Sequence, residues 1–274
     1  MKIAYQGAPG AFGEEALVAR FGETAERTGL ATFDAVFAAV AAGEVEQGVV
    51  PIENSLAGSV LENYDLLLEY DAQIVGEVSL PVRHCLLAPP GSTLAEITHC
   101  YSHPQALAQC ARFLVEHDIE PRAARNTAEA ARDLVANAEP GAAAIASARA
   151  GRLHGLEAVV ENIQTRANNT TRFFVIARER PGDLAAEKTS LAFSTVNRPG
   201  ALLGCLEAFA AHALNLTKIE SRPTGDALWE YHFYVDAEAH DGGALPDGVL
   251  TSLVDELAPC TSFVRVLGQY PQAR

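Results

Sequence analysis

A cluster of polar side chains stands directly before an apolar run in the stretch NNTTRFFVI, residues 168–176. Two amides, two hydroxyls and the cation Arg172 come first. Residues 173–176 are aromatic or β-branched, which is typical of a buried strand. Two interpretations fit this pattern. The cluster is either an ordinary polar turn ahead of a strand, or a binding site for a small anion in which the Thr171 hydroxyl can give up a proton.

Further polar groups follow other predicted strands, at the ends where ligands bind in open α/β sheets. Glu53, Asn54 and Ser55 lie at the end of one predicted strand, and Ser102 lies at the end of another. Gln109, five residues into the next helix, reaches the same end only if that helix leans over the cleft. Glu53 and Ser102 could equally cap the helices that follow them. Together these side chains suit a reaction in which the substrate must be held in position and one proton must be transferred.

The turn GAPG, residues 7–10, follows the first predicted strand. Backbone N–H groups around Gly7 and Ala8 could cradle an oxyanion there. The turn lacks the full GxGxxG pattern and the acidic residue expected about twenty positions later, so a dinucleotide site is not favoured. Because the NNTTR cluster begins its strand, that strand must run antiparallel to its neighbours to reach the same cleft.

Composition excludes several classes of function. The chain has 274 residues, is 49% hydrophobic and carries a formal net charge of −15, which disfavours nucleic acid as a partner. The five cysteines are scattered without metal-ligand spacing, so we expect reduced thiols, no metal and no cofactor. No stretch is apolar enough for a signal peptide or a membrane span, and we expect a cytoplasmic protein.

Alternating strand and helix patterns predict an α/β fold with two lobes around a cleft, like that of periplasmic binding proteins. We expect lobe one at about 1–75 plus 160–181 and lobe two at about 76–159. Asp34 and Thr127 are expected to cap helices, and single helices are predicted over 104–117 and 199–213, each with proline in its first turn.

Residues 178–188 are charged, contain Pro-Gly and indicate a linker. The pattern after it is βαββαβ, with a turn around Gly225 and Asp226 joining two of the strands. The sequence therefore predicts an N-terminal part, 1–181, and a separate C-terminal domain, 182–274. All catalytic candidates lie in the first part, so we expect it to work without the second.

Four stretches of the first part together resemble prephenate dehydratase: GAPGAFGEEA, VVPIENSLAGSV, YSHPQALAQC and NNTTRFFVI. RPGALLGCLEAFAAHALNLTKIESRP resembles the ACT regulatory domain attached to that enzyme. The resemblance covers nearly the whole chain in order. With no chorismate mutase segment ahead of Met1, it implies the monofunctional form.

The resemblance implies a lyase that converts prephenate to phenylpyruvate, carbon dioxide and water in phenylalanine biosynthesis. The threonine of the family's Thr-Arg-Phe motif, here Thr171, would be the proton donor. The implied catalytic set is Thr171, Glu53, Asn54, Ser102 and Gln109. The implied substrate-binding set is Arg172, Phe173, Ser55, Gly7 and Ala8.

The resemblance also implies an allosteric site for L-phenylalanine between paired ACT domains. Its residues here would be Asn197, Pro199, Gly200, Ala201, Leu202, Leu203, Glu220, Ser221, Arg222 and Pro223. The implied assembly is a homodimer or homotetramer through ACT and catalytic domains. Two alternatives stay open: an arogenate dehydratase with the same motifs, and a non-catalytic protein that binds a small anion or an amino acid.

Overall fold

The structure is a computed structural model that describes residues 1–182, 184–225, 230–246 and 248–273. The strands are β1 (Lys2–Gln6), β2 (Glu26–Leu30), β3 (Gln47–Asn54), β4 (Gly58–Ser59), β5 (Gln73–Pro81), β6 (Cys85–Ala88), β7 (His99–Ser102), β8 (Glu120–Ala123), β9 (Ala142–Ala146), β10 (Glu157–Val160), β11 (Thr170–Ala177), β12 (Lys188–Thr195), β13 (Leu214–Pro223), β14 (Tyr231–Ala239) and β15 (Thr261–Tyr270). The helices are α1 (Phe12–Phe21), α2 (Phe33–Ala41), α3 (Leu61–Glu69), α4 (Pro104–Gln109), α5 (Ala111–Glu116), α6 (Thr127–Asn137), α7 (Ala148–His154), α8 (Ala201–Ala211) and α9 (Val249–Leu257).

Two sheets define the two predicted lobes. The larger sheet has the order β13-β14-β12-β15-β5-β11-β3-β1-β2, with β4 paired to β3, and the smaller sheet has the order β10-β6-β9-β7-β8. Lobe one thus holds β1 to β5 and β11, and lobe two holds β6 to β10. The chain changes lobe after Pro81 and returns before Thr170, later at both points than the predicted boundaries, because β5 pairs with β11 along its whole length.

Strand β11 runs antiparallel to both of its neighbours, β3 and β5, which confirms the direction expected from the sequence. Thr171 stands opposite Asn54 on β3 and opposite Leu80 on β5. The start of β11 therefore meets the end of β3, and the polar residues of the two strands come together at one edge of the sheet.

Several local predictions differ from the structure. The segment predicted as one helix is broken at Cys110 into α4 and α5, because the Gln109 carbonyl accepts the Thr165 N–H at 2.8 Å. Strands β2, β4, β8 and β10 were not predicted. Helix α2 is capped by Thr32 and not by Asp34, since the Thr32 hydroxyl accepts the Ala35 N–H.

The other two expected helix starts also shift by a residue or two. Asn126, and not Thr127, caps α6 through the Glu129 N–H. Helix α8 begins at Ala201, so Pro199 lies outside it and Gly200 is the N-cap with a φ of 82°.

The C-terminal unit has the predicted order βαββαβ, formed by β12, α8, β13, β14, α9 and β15. Of the turn expected between β13 and β14, Gly225 has a positive φ of 81°, and Asp226 lies outside the described residues. One hydrophobic cluster packs α8 and α9 against the sheet, with Phe193, Phe209 and Leu253 buried inside it. The order and packing are those of a sheet with helices on one face.

The C-terminal unit is joined to lobe one by a continuous sheet. Strand β15 runs parallel to β5 and pairs with it where Gly268 meets Ile74. A Cβ at Gly268 would lie 2.1 Å from the Ile74 carbonyl oxygen, so a residue without a side chain is required there. In the described part of the chain, no helix is long and apolar enough to cross a membrane.

Candidate active site

A cavity of about 440 Å³ lies between the two lobes. It is open to the carboxyl ends of β1 and β3 and to the beginning of β11, where the sequence predicted a ligand site. The described residues that line it are Gln6, Gly7, Ala11, Phe12, Gly13, Phe33, Val49, Pro51, Asn54, Val60, Val82, His84, His103, Gln105, Ala106, Gln109, Asn126, Thr127, Thr171 and Phe173. The predicted residues Gly7, Asn54, Gln109, Thr171 and Phe173 are therefore brought together.

The orientation of the Asn54 side chain is fixed by the backbone that follows it. Its Oδ1 accepts the N–H groups of Leu56 and Ala57, both at 3.0 Å. Its Nδ2 must therefore be the donor, and it donates to Thr171 Oγ1 at 2.9 Å and to Asn169 Oδ1 at 2.7 Å. Asn54 thus holds the Thr171 oxygen as an acceptor.

The same logic extends the chain of hydrogen bonds into lobe two. Asn169 accepts through Oδ1, so its Nδ2 donates, and Gln109 Oε1 accepts this bond at 3.0 Å. Gln109 Oε1 also lies 2.8 Å from His84 Nε2, which must carry the hydrogen because the oxygen can only accept. Helix α4 does lean over the cleft, and its last residue connects the lobes.

Thr171 is nearly buried and lines the cavity. An oxygen that accepts a hydrogen bond from Asn54 keeps its own hydrogen available for a second acceptor. The arrangement is therefore able to present a hydroxyl proton to a ligand in the cleft, as a general acid requires.

His84 is a cleft residue that the sequence reasoning missed. It is buried, stands edge-on to the Phe12 ring with 5.5 Å between ring centroids, and lines the cavity. Burial lowers the pKa of its imidazole, although the hydrogen bond to Gln109 raises it in part. The available signal was a lone histidine between two apolar runs, in LPVRHCLLA, at the point where the chain changes lobe.

Arg172 and Glu53 do not face the cleft. Side chains alternate along a strand, so Thr171 and Phe173 point into the cavity and Arg172 points to the other face of the sheet. There Arg172 contacts Glu53 at 2.7 Å, Glu77 at 3.1 Å and Asp236 of the C-terminal unit at 2.7 Å. The guanidinium of Arg172 is thus already paired with three carboxylates on the face opposite the cavity, and this geometry does not favour the predicted contact with a substrate carboxylate.

Glu53 is held as an anion in the same group of charges. Its second oxygen, Oε2, lies 2.6 Å from Lys218 Nζ on β13. Burial alone would raise the pKa of Glu53, but Arg172 and Lys218 outweigh burial and hold it below the usual range. Glu53, which the resemblance placed in the catalytic set, therefore lies as an ionised carboxylate on the face of the sheet opposite Thr171.

Ser102 and Ser55 bind backbone and do not line the cavity. The Ser102 hydroxyl donates to the Ile145 carbonyl at 2.6 Å inside lobe two, and His103 is the N-cap of α4 instead. The Ser55 hydroxyl donates to the Asn168 carbonyl at 2.9 Å and accepts the Thr170 N–H at 3.0 Å. Ser55 therefore fastens the segment that carries Thr171.

The loop after β1 uses its N–H groups within the protein. Gly7 donates to the Leu30 carbonyl at 2.8 Å, Gly10 donates to a Glu14 carboxylate oxygen at 2.6 Å, and Ala11 donates to the Ala8 carbonyl at 3.0 Å. Gly7 lines the cavity and Ala8 does not. These three amides are unavailable as the predicted oxyanion cradle.

The ten residues expected to bind phenylalanine divide between two places. Asn197, Pro199, Gly200 and Leu203 are exposed around the start of α8, whereas Ala201 is buried and Leu202 is partly buried. On β13 the side chains alternate, so Ser221 and Pro223 are exposed. Glu220 accepts a hydrogen bond from Ser59 at 2.5 Å, and Arg222 forms an ion pair with Asp65. Glu220 and Arg222 therefore contact lobe one.

A two-lobed α/β fold with a polar, hydroxyl-bearing cleft and a βαββαβ C-terminal unit defines the class as a protein with a small-molecule cleft and an appended domain. The family model for prephenate dehydratase matches residues 3–181. The chain belongs to the prephenate dehydratase family, whose members are dehydratases and hence lyases. This agrees with the resemblance found in the sequence.

Individual relatives are similar to this chain over nearly its full length. An arogenate dehydratase/prephenate dehydratase from Arabidopsis thaliana, named as chloroplastic, is 42% identical over 99% of this chain and 73% of its own length. A prephenate dehydratase from Arthrobacter aurescens, solved in complex with L-Phe, has a TM-score of 0.86 and 31% identity, covering 100% of this chain and 90% of that one. A structure described as GqqA, a novel type of quorum quenching acylase, has a TM-score of 0.88 and 35% identity, covering 100% and 98%.

Proposed function

We propose that this cleft converts prephenate to phenylpyruvate, carbon dioxide and water, with Thr171 as the proton donor. The observation that carries the proposal is the Thr171 hydroxyl in the cleft, held as an acceptor by Asn54 at 2.9 Å. Loss of the ring hydroxyl and the ring carboxylate makes an aromatic ring, so the driving force is in the substrate. Hydroxide is a poor leaving group and must be protonated as it departs.

General acid catalysis of this kind increases the reaction rate by about 10²–10⁴-fold, which corresponds to roughly 3–5 kcal/mol of activation free energy. Asn54 supports it by fixing the position of the Thr171 oxygen. Asn169 accepts a hydrogen bond from Asn54 and is itself held by Gln109. The Thr171 hydroxyl is a weak acid. Its proton must therefore move to the departing oxygen in the same step in which the bond between that oxygen and the ring breaks. Water in the cleft restores the proton.

The apolar part of the cleft suits the loss of carbon dioxide. Phe12, Phe33 and Phe173 line the cavity together with Val49 and Val82. A carboxylate that leaves as carbon dioxide loses its charge, so surroundings that solvate the charge poorly favour the transition state over the bound substrate. Phe173 follows Thr171 on the same face and places an aromatic ring beside the reacting centre.

Prephenate and arogenate are to be compared directly, because the Arabidopsis relative carries both activities in its name. Purified protein is incubated with each compound, and phenylpyruvate or phenylalanine is measured against time. We expect product from prephenate with the higher kcat/KM. Product from neither compound would leave the protein as a non-catalytic binder of a small anion or amino acid.

Acyl transfer is less well supported by the contacts of the cleft. A nucleophilic hydroxyl needs a general base within hydrogen-bond reach. Thr171 is bonded to an amide, and the Ser102 hydroxyl is bonded to a backbone carbonyl within lobe two. An N-acyl amide included in the same assay gives the comparison, and we expect it to be left intact.

We also propose that the C-terminal unit is an ACT domain that binds L-phenylalanine between two copies of this chain. The order βαββαβ and the L-Phe complex of the Arthrobacter relative support this proposal. Leu203 and Ile219 are 60% and 48% exposed on the unit, which suits a homodimer or homotetramer interface. The contacts of Lys218 with Glu53 and of Glu220 with Ser59 would carry the effect of the ligand to lobe one.

Calorimetry and light scattering test this regulation. We expect wild-type protein to bind L-phenylalanine and lose activity, and Leu203→Asp to lose both the oligomer and the inhibition while keeping turnover. Leu203→Asp is preferred to a Gly200 variant, because the φ of 82° at Gly200 strains any larger residue. An inhibited monomer would contradict the interface site.

A cytoplasmic location is a further part of the proposal. Five free cysteines, four of them buried, support a reducing compartment. Fractionation of cells that produce the protein tests it, and recovery from an oxidising compartment with disulfide bonds would contradict it.

A further inference from the structure

The charge of the proposed substrate is not matched by the cleft. Prephenate carries two carboxylates, yet none of the described residues that line the cavity is a lysine or an arginine. Arg172 points to the other face of the sheet. His84 and His103 are the lining side chains that can become positively charged. The following inference rests on the proposed function.

His84 lines the cleft, and its Nδ1 is the ring nitrogen that is free to take up a proton. Its Nε2 carries the hydrogen that Gln109 Oε1 accepts, so in the neutral ring the lone pair is on Nδ1. His84 is 2% exposed, and Nδ1 is buried without a hydrogen-bond partner in the described part of the chain. A buried polar atom without a partner, in a side chain that lines a cavity, points to a ligand that supplies the partner when it binds.

A lone pair on Nδ1 repels a carboxylate oxygen, whereas a protonated Nδ1 donates a charge-assisted hydrogen bond to it. We propose that His84 takes up one proton at Nδ1 when the substrate binds, and that the imidazolium pairs with the carboxylate that the product keeps. The proton comes from solvent and leaves with the product, so the reaction itself is unchanged in protons and electrons.

The choice between the two carboxylates follows from the chemistry of decarboxylation. A cation beside the ring carboxylate would hold the charge that must disperse as carbon dioxide forms, and would slow that step. The side-chain carboxylate keeps its charge from substrate to product. A cation there binds substrate and transition state equally, so it lowers KM and leaves kcat nearly unchanged.

The surroundings of His84 keep it neutral until a ligand arrives. Burial lowers its pKa, the Gln109 hydrogen bond raises it in part, and no charged side chain is among the causes of the shift. The helix of Phe12 and the segment of Ile163 contact His84, and the titratable and charged side chains on these segments and beside His84 include Arg83, Cys85, Glu14, Glu15 and Glu161, while His103 also lines the cleft. Of these, Glu14 is already bonded to Gly10, Arg27 and Arg149. An entering carboxylate is then the partner that makes protonation favourable.

The pH dependence of steady-state kinetics tests the proposal. The free protein must be protonated at His84 before it holds the substrate, and its pKa lies below the ordinary value of about 6.5. We expect kcat/KM for prephenate to fall by about tenfold per pH unit from pH 7 to 9, because the carboxylates of the substrate do not titrate there. A flat kcat/KM over this range would overturn the proposal.

His84→Gln keeps a donor for Gln109 but cannot take up a proton. We expect it to raise KM by about 10–100-fold at pH 7, change kcat little and abolish the slope of kcat/KM with pH. His103→Gln, the matched control in the same cleft, should keep the slope. A His84→Gln protein that retains the slope would exclude His84 as the titrating group.

Calorimetry with prephenate and Thr171→Ala protein counts the protons directly, without depending on a folded His84 variant. We expect the binding enthalpy to vary with the ionisation enthalpy of the buffer, with a slope of about one proton taken up at pH 8. Binding that takes up no proton, or no binding at all, would contradict the proposal.

If wild-type protein yields no product from prephenate or arogenate, the proposed function fails. If product forms without the pH slope, only the role of His84 fails.

Discussion

At the scale of single residues, the direction of each hydrogen bond decides what Thr171 is able to do. Two backbone N–H groups fix Asn54 Oδ1, and that fixes Nδ2 as a donor to Thr171. If the amide were reversed, its oxygen would accept the Thr171 proton and hold it. The ability to protonate a leaving group therefore depends on the loop after β3 as much as on Thr171 itself.

Replacement of Thr171 tests this role. Thr171→Ala should lower kcat by about 10²–10⁴-fold with little change in KM, because a proton donor acts mainly in the transition state. Thr171→Ser keeps the hydroxyl and should retain part of the activity. Thr170→Ala is the control, since the neighbouring threonine does not line the cavity. A Thr171→Ala enzyme with near wild-type kcat in a prephenate assay would show that Thr171 is structural.

Arg172 is predicted to act on stability and not on substrate binding. Arg172→Ala leaves Asp236, whose side chain is 3% exposed, without its cation, and it leaves Glu77, which is 5% exposed, paired with Lys188 alone. Breaking a buried ion pair from one side costs about 3–5 kcal/mol of unfolding free energy. Urea denaturation measures this loss.

The matched control for Arg172 is Arg112→Ala, which breaks an exposed pair with Glu116 and should cost less than about 1 kcal/mol. Equal losses in the two variants would contradict the buried network. A folded Arg172→Ala protein with a large rise in KM and unchanged stability would return Arg172 to the substrate site.

At the scale of elements, β11 separates two functions by its alternation. One face gives Thr171 and Phe173 to the cleft, and the other gives Arg172 to the contact with the C-terminal unit. Strand β11 lies between β3 and β5, so both of its edges are hydrogen-bonded and its register is fixed on two sides. A shift of β11 relative to its neighbours would therefore move the side chains of the cleft and those of the contact with the C-terminal unit at the same time.

The junction of β15 with β5 gives a prediction for a single glycine. Gly268→Ala should lower the unfolding free energy by about 1–3 kcal/mol, because the added Cβ collides with the Ile74 backbone oxygen. Gly182→Ala is the control, since nothing lies within 4 Å of a Cβ there. Chemical denaturation compares the two. Equal stability of both variants would mean that the strands are not in contact.

At the scale of the whole molecule, lobe one and the C-terminal unit share a hydrophobic core. Tyr270 of β15 packs against Phe174 of β11 with 5.9 Å between ring centroids. Tyr234 of β14 packs against Tyr64 of α3 with 4.7 Å between centroids. All four side chains belong to one buried cluster. The two parts are therefore not independent in the way that the linker composition suggested.

The fragment 1–181 tests this shared core. We expect it to lose cooperative unfolding and to bind a hydrophobic dye, because removal of residues 182–274 exposes Tyr64 and Phe174 and leaves Arg172 without Asp236. Near-ultraviolet circular dichroism and dye fluorescence measure this against the full chain. A fragment that unfolds cooperatively and turns over prephenate would show instead that the first part folds alone.

The sequence by itself determined the fold class, the βαββαβ order and the family resemblance, and it required β11 to run antiparallel if its polar cluster was to share the cleft. These follow from local patterns: apolar periodicity sets the elements, and the short motifs lie at the strand ends where a cleft forms. Thr171, Asn54 and Gln109 could be proposed for the same reason and Phe173 through the family resemblance, and the structure brings all four to one cavity.

Only the tertiary structure decided which polar residues share the cleft. Arg172, Glu53 and Ser102 have the right chemistry and sequence position, but their side chains point to the C-terminal unit or into lobe two. His84 has no motif around it, yet the return of α4 over the cleft places it at the wall. The physical reason is that which face a side chain takes, and which partner it meets there, depends on contacts between segments far apart in the chain.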